Sequence, residues 1–400
     1  MSKFLFVSTY DLRRNTSGNI RTVALMKGLH DAGHIVHVIF VPSDKESDTE
    51  VYNALLSVDK IIMYPKTEQS FIEKKKISQY EKKNWKVKFL QKVYKIYNQI
   101  SVYDIFQTKI LNLKASDLKE VDEDYDYIVS SSEPRSSHKF ARKIKSIKRL
   151  NSKLIFYWGD PMTNDVASIK VFHSREANEE NKLISVSDLS LYTNPCAVEY
   201  MRRKYPHNAS KIHWIATSDI SDTSAKKSCI TIKSKRIGYF GDYSAIYRNI
   251  IPFYESCVEN NYDTVICGMG AGVVLTSKAN VNVKGRVSRK EVNEFEKECQ
   301  LLIVIENKTK TGECIQIPGK LYHYALTNKE ILVITESKNL SKEYKKFNRF
   351  HFVENDKDKI SAAIHQILSS STEVSKYTPL VDFMRDNIVR EFEEIINRNI

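Results

Sequence analysis

Four hundred residues exceed what one hydrophobic core usually holds, so two domains are the default expectation. With 42% hydrophobic and 28% charged residues the chain reads as globular rather than disordered. No apolar run approaches the ~18 residues that span a bilayer, and Lys3–Val7 is too short for a signal-peptide core, so a cytoplasmic protein is expected. The net charge of +13 points to an anionic partner: nucleic acid, a phosphate-bearing small molecule or a membrane surface. Six cysteines without CxxC spacing read as free thiols, and the scattered histidines give no metal-ligand pattern, so neither metal nor cofactor is expected.

In chain order, Lys3–Ser8 is a strand, the polar stretch to Gly18 a loop, and Asn19–Ala32 a helix with Ile20, Val23, Ala24 and Leu25 turned inward. Gly33 ends that helix and His34–Val41 is the next strand, a βαβ opening that implies a parallel sheet. Tyr125–Ser130, a basic helix over His138–Leu150, and Lys153–Trp158 repeat the pattern, followed by shorter strands at Leu189–Thr193 and Lys211–Ile215. The Ser-, Thr-, Asp- and Lys-rich stretch 217–235 reads as a linker. The alternation then restarts with strands at 235–240, 263–267, 281–284, 301–305, 331–335 and 350–353 and helices at 248–260, 288–300, 318–326 and 357–368. A last amphipathic helix is expected over Leu380–Arg398. The expected organisation is therefore an α/β domain over 1–216, the linker, a second α/β domain over 236–376 and a terminal helix in 377–400, with ligands outside the carboxyl ends of the strands in a cleft between the two.

Residues 66–120 break the alternation. They hold thirteen lysines against six acidic residues, more than half of the chain's charge excess. Trp85, Phe89, Val93, Ile96 and Ile100 recur at helical spacing, with Lys88, Lys92 and Lys95 on another face. One reading is a helix lying on an anionic bilayer through Lys74–Lys95; the other is a solvated helix whose apolar stripe packs on its own domain. Nucleic acid is not the expected partner, because no recognised binding module accompanies the charge.

Four groups of residues can carry chemistry. Ser17-Gly18-Asn19 with Arg21 opens the first helix and would suit a phosphate or sugar hydroxyls; ordinary turn chemistry is the alternative. Asp160, after the strand ending at Trp158, would orient a hydroxyl or accept its proton, and Glu133 ends the preceding strand on the same rim; an Asp-Pro turn is the plainer reading of Asp160. In the second half, Gly241-Asp242 is followed by Arg248, which would pair with a diphosphate. Gly268–Gly272 looks like a dinucleotide fingerprint, but short β-rich sequence follows it in place of a helix, which argues against NAD. Finally, Ile317-Pro318-Gly319-Lys320 reads as a helix start with Pro in the first turn, exposed amides and a nearby cation, an anion site if Lys320 is not merely a solvated charge.

Together these segments resemble the retaining glycosyltransferases of the GT-B fold, in particular family 4 and its capsule and surface-polysaccharide relatives. The opening Phe4–Ser8 with Ser17-Gly18-Asn19-Ile20-Arg21 and Gly33–Val38 is similar to that family's first βαβ unit. Ile237–Gly241 with Arg248-Asn249 is similar to the start of its donor domain, Gly285-Arg286-Val287 to its G-R-V turn, and Gln316–Tyr324 to its P-x-K-L-x-E-Y segment. The resemblance covers nearly all of the chain outside the basic insert. It implies two facing Rossmann-like domains, a nucleotide-sugar donor on the second, a glycan or lipid-linked acceptor on the first, and a C-terminal helix that returns to the first. Arg248, Lys320 and helix amides would meet the diphosphate without a metal. Gly241, Asp242, Arg286, Glu313, Ile317, Pro318, Gly319 and His323 would complete the donor site, with Asp160 on the acceptor side as a catalytic candidate.

Two departures stand out. The family's paired glutamates lie eight residues apart, whereas here Ile315 and His323 occupy those places and Glu313 is two residues off. The catalytic histidine of the family's first domain also has no match. The reading is a metal-independent glycosyltransferase of surface glycan synthesis, peripheral on the inner face of the plasma membrane; the alternatives are an inactive GT-B scaffold and, behind it, a sugar-nucleotide epimerase.

Overall fold

The computed structural model describes residues 1–43, 47–64, 93, 96–97, 100–132, 134–163, 173–220, 235–307, 312–313, 315, 318–327, 329–340, 349–370 and 384–400. Glu133, Ile317, the lysines from Lys74 to Lys95 and most of the expected linker lie outside the described residues. The chain divides into two compact units, Met1–Ser221 with Arg385–Ile400, and Asp222–Met384.

The first unit carries β1 (Lys3–Ser8), α1 (Ser17–Asp31), β2 (Ile35–Phe40), α2 (Thr49–Leu55), β3 (Lys60–Met63), β4 (Tyr127–Ser131), α3 (Ser136–Lys148), β5 (Lys153–Trp158), α4 (His173–Val186), β6 (Leu189–Tyr192), α5 (Pro195–Lys204) and β7 (Ile212–Trp214). Its seven strands are hydrogen-bonded in the order β3-β2-β1-β4-β5-β6-β7, all parallel. Burial on both faces explains why β1, β2 and β5 read as near-continuous apolar runs. Helix α1 starts where the Thr16 side chain accepts from the Asn19 amide. Helices α2, α4 and α5 and strand β3 were not expected from the sequence.

The second unit repeats the winding. It carries β8 (Ile237–Phe240), β9 (Tyr243–Ser244), α6 (Ile251–Glu259), β10 (Thr264–Cys267), β11 (Gly270–Ala271), β12 (Val281–Gly285), α7 (Arg289–Glu298), β13 (Leu301–Ile305), α8 (Lys320–Ala325), β14 (Glu330–Ile334), β15 (Phe350–Val353) and α9 (Lys357–Ser369). Its parallel sheet runs β12-β10-β8-β13-β14-β15, with β9 and β11 forming a separate two-stranded ribbon. Ser288 and Glu291 cap α7 reciprocally, which fixes its start. The residues after Gly272 form no helix, and β11 pairs only with β9, so the glycine-rich run is a ribbon turn; Val273–Leu275 is not a strand.

The last helix, α10 (Arg385–Asn399), belongs to the first unit. It buries Ile388, Val389, Phe392 and Ile396. Phe392 stands 6.2 Å from the Phe4 ring, Arg385 pairs with Asp31 at 3.0 Å, and His34 Nε2 lies 2.6 Å from Glu393 Oε1. Gly28 makes the approach possible: a Cβ there would lie 2.5 Å from Val389 Cγ2. No helix among the described residues is long and apolar enough to cross a membrane.

Candidate functional site

In a doubly wound sheet the connections diverge where strand order reverses, and the opening at the carboxyl ends admits ligands. The second sheet reverses between β8 and β13. Gly241 and Asp242 follow β8, Glu306 and Asn307 follow β13, and these four flank the opening. Arg248 ties the two sides: its Nε donates to Asn307 Oδ1 at 2.9 Å and its Nη1 to the Asp242 carbonyl at 3.1 Å.

Lys320 brings its ammonium to the same place. A Cβ built on Gly241 would lie 3.2 Å from Lys320 Nζ. The amine has no ion pair or hydrogen bond among the described residues. Withdrawal from water pushes its pKa down from 10.5 to about 8; Arg248 and Arg289 act in the same direction, while Glu296 and Asp242 oppose. A lysine held this way is a cation awaiting an anion.

The floor of the opening is backbone. Gly241 N donates to Cys267 O at 2.8 Å and Gly268 N to Gly285 O at 2.7 Å. At Gly268 a Cβ would lie 1.9 Å from the Gly241 carbonyl oxygen, and φ is +154°, so no other residue fits there. Asp242 accepts from Met269 N at 3.0 Å and pairs with Arg286. That pair is exposed, so an arriving phosphate can compete for Arg286 at little cost.

Two expectations about this region change. Helix α8 begins at Lys320 with Gly319 as its N-cap, so Pro318 precedes the helix instead of opening it, and the Leu321 amide returns to Pro318 O at 2.9 Å in a tight turn. With six residues α8 adds little aligned dipole, and the side chain of Lys320 is the main source of positive charge. Arg248 likewise lies ahead of α6, bridged in β fashion to Ser244, rather than opening that helix. Glu313 sits half-buried in the β13–α8 connection.

His323 is the residue that stands where the resemblance implies a glutamate, and the structure supplies a carboxylate beside it. His323 Nε2 lies 2.9 Å from Glu296 Oε2. Glu296 and Asn307 were missed in the sequence. Glu296 falls on the inner face of α7 with Val292 and Phe295, and an acid on an apolar face was the available signal; Asn307 lies two residues past a buried strand.

The first sheet reverses between β1 and β4, and its opening is lined with hydroxyls. Thr9 Oγ1 lies 2.6 Å from Ser136 Oγ, and Thr9 N donates to Ser137 Oγ at 3.1 Å. Arg21, only 9% exposed, donates to Ser132 O at 3.3 Å and lies 5.4 Å from the Tyr157 ring centroid, while its Nε has no partner. Its guanidinium occupies the space beside Gly159, where a Cβ would lie 2.6 Å from both terminal nitrogens. Asp160, half-buried, is the next residue in the chain, so Arg21 and Asp160 share this edge. Asn19 plays another part: its amide donates to the carbonyls of Asp11 and Arg14, both at 2.8 Å, and pins the loop before α1. Ser17 is exposed in the first turn and Gly18 buried beside it. His138 does not supply the missing histidine. Its ring is buried 4.4 Å from Phe156 and 4.2 Å from Trp158, Nδ1 lies 2.7 Å from Ser130 Oγ, and burial, with Arg21 adding to it, pushes its pKa down to about 3.

Because Arg21 fills the Gly159 gap, Gly159→Ala should destabilise the protein by about 1–3 kcal/mol through overpacking. In an Arg21→Ala background the same change should cost almost nothing. Denaturant unfolding of the four proteins measures the coupling, and additive effects would separate the two residues.

No family model and no curated protein matches the chain. Solved structures do. HepE from Anabaena, in complex with UDP and glucose, superposes over 99% of this chain and 100% of its own at 10% identity and a TM-score of 0.63. A TarM mutant from S. aureus, in complex with Fondaparinux, alpha-GlcNAc-glycerol and UDP, gives 10% identity and a TM-score of 0.58 over 100% and 99% of the two chains. The UDP-GlcNAc 2-epimerase from Neisseria meningitidis, bound to UDP-GlcNAc, gives 12% and 0.54 over 99% and 100%. At such identities the likeness speaks for fold, and the fold is GT-B: two doubly wound, Rossmann-like α/β units.

Proposed function

We propose that this protein is a glycosyltransferase that moves a sugar from a nucleoside diphosphate donor to a glycan or lipid-linked acceptor, with retention, in surface polysaccharide synthesis. The observation that carries the reading is the desolvated ammonium of Lys320 against Gly241 at the reversal point of the second sheet. Arg248 and Arg286 stand beside the same strand end. Positive charge fixed in advance lowers the barrier to departure of a diphosphate, and these side chains would supply it without a metal ion. The UDP-containing complexes of HepE and TarM support a nucleotide as the anion. The Glu296–His323 pair would meet the ribose hydroxyls, and Arg21 with Asp160 would face the acceptor. Peripheral attachment through Lys74–Lys95 belongs to the same proposal.

Titration calorimetry with UDP-, GDP- and CMP-sugars tests it. One donor should bind, and Arg248→Ala should weaken it about tenfold, the loss of one charge-assisted hydrogen bond. Binding of none of them would refute the reading. Release of free nucleotide from the bound donor separates a transferase from an inactive scaffold, and a C2-epimerised sugar without nucleotide release would favour the epimerase whose fold this chain shares.

A further inference from the structure

The first unit carries a second cationic site, between two of its helices. A cavity of about 850 Å³ lies among α3, α4 and residues 97–107. Lys139 and Arg142 from α3 and Arg175 and Lys182 from α4 line it, against one carboxylate, Glu179. That carboxylate is engaged, accepting from Tyr103 OH at 2.7 Å. Lys139 Nζ reaches Gln107 Oε1 at 3.3 Å and lies 5.1 Å from the Tyr103 ring centroid. Arg142 and Lys182 have no ion pair among the described residues. With Glu179 engaged, the charges of Arg142 and Lys182 make this cavity a site for an anion.

Beside it lie apolar side chains that are partly open to solvent. Val93, Ile96 and Ile100 are 39%, 52% and 47% exposed; Leu111 is 56% exposed. Ile100 also lines the cavity. Lys143 holds the neighbouring turn in place, donating to Ile110 O at 2.7 Å and Leu111 O at 3.0 Å.

We propose that this face seats the protein on an anionic bilayer, the exposed stripe entering the acyl boundary while the α3–α4 cavity takes a lipid phosphate headgroup. A free phosphate would satisfy the cations and leave the stripe in water. A bilayer satisfies both, since its surface is anionic and its interior apolar. The inference deepens the peripheral part of the function proposed above and adds a headgroup site distinct from Lys74–Lys95.

Co-sedimentation of the full chain with phosphatidylcholine vesicles, with and without phosphatidylglycerol, tests it. The protein should bind the anionic vesicles about tenfold more tightly than the neutral ones, and salt should weaken that binding. The double variant Arg142→Glu/Lys182→Glu should lose that tenfold preference, and Ile96→Ser/Ile100→Ser should lose binding to a similar extent. Equal binding to neutral vesicles would overturn the proposal. So would wild-type binding by the Arg142→Glu/Lys182→Glu protein, or loss of binding only when Lys74, Lys75 and Lys76 are reversed. Displacement by millimolar inorganic phosphate at constant ionic strength would reassign the cavity to a soluble anion and overturn it as well. Circular dichroism confirms that each variant is folded. Donor calorimetry on the same proteins keeps the two questions apart, because vesicle binding can fail while the nucleotide-sugar still binds, and the reverse.

Discussion

Lys320→Ala should lower kcat/KM for the nucleotide-sugar by about 10²–10³-fold, the usual loss when one preorganised donor to a developing anion is removed. The pH dependence identifies the group. With a pKa of about 8, Lys320 is protonated below that value and neutral above it, so donor turnover should fall as pH rises through about 8. In Lys320→Arg that fall should move to higher pH, since a guanidinium keeps its proton. Stability should change in the opposite sense. The folded-state pKa lies below the ordinary 10.5, so burying the ammonium costs stability in full below about pH 8, and that cost disappears as pH approaches 10.5. Lys320→Met should therefore unfold at a higher denaturant concentration than wild type at pH 7 while losing turnover. A variant weaker in both would make Lys320 a structural residue. Binding of a diphosphate should raise the amine's pKa again, so donor binding above pH 8 should take up a proton, which calorimetry in buffers of different ionisation enthalpy detects.

Phe392→Ala should destabilise the first unit by about 3–5 kcal/mol, the range for deleting a fully buried aromatic ring. Phe392 is wholly buried, 6.2 Å from Phe4 and flanked by Ile388, Val389 and Ile396. Gly28→Val should act on the same contact from the other side, because even a Cβ would lie 2.5 Å from Val389 Cγ2 and 2.9 Å from Arg385 Cγ. Neither atom is the free end of a long side chain, so α10 would have to move away from α1. Urea unfolding monitored in the far ultraviolet measures both. A loss below about 1 kcal/mol would mean that α10 adds little to this core.

Much of the fold was legible because parallel strands buried on both faces appear as apolar runs. Phe4–Val7, Leu154–Trp158 and Leu301–Ile305 needed no further context. Four-residue β3 was too short to stand out, and α4, with Arg175, Glu176, Glu179 and Glu180 among its first residues, has too polar a sequence for its inner stripe of Glu176, Glu180, Leu183 and Ile184 to show. Those two buried acids were also invisible for another reason. Arg135 reaches Glu176 at 3.1 Å and Lys204 reaches Glu180 at 3.1 Å from distant parts of the chain, and no local pattern encodes that. The same holds at the candidate site. Lys320 was marked by the Pro-Gly that precedes it, but its approach to Gly241 comes from the sheet order, and the bond from Arg248 to Asn307 joins two connections far apart in sequence. Helix ends were misplaced where a proline suggested a start and the chain instead made one more turn.

The contact between Gly268 and the Gly241 carbonyl bears on how the donor preference proposed above could be changed in the laboratory. Position 268 admits no side chain, and the floor it shares with position 241 cannot be varied without separating β8 from β10. Residues on the β9 and β11 side are open by comparison: Ile246 is 81% and Met269 51% exposed. A mutant library aimed at a new nucleotide or sugar should keep the two glycines and Lys320 constant and place its diversity at Ile246 and Met269.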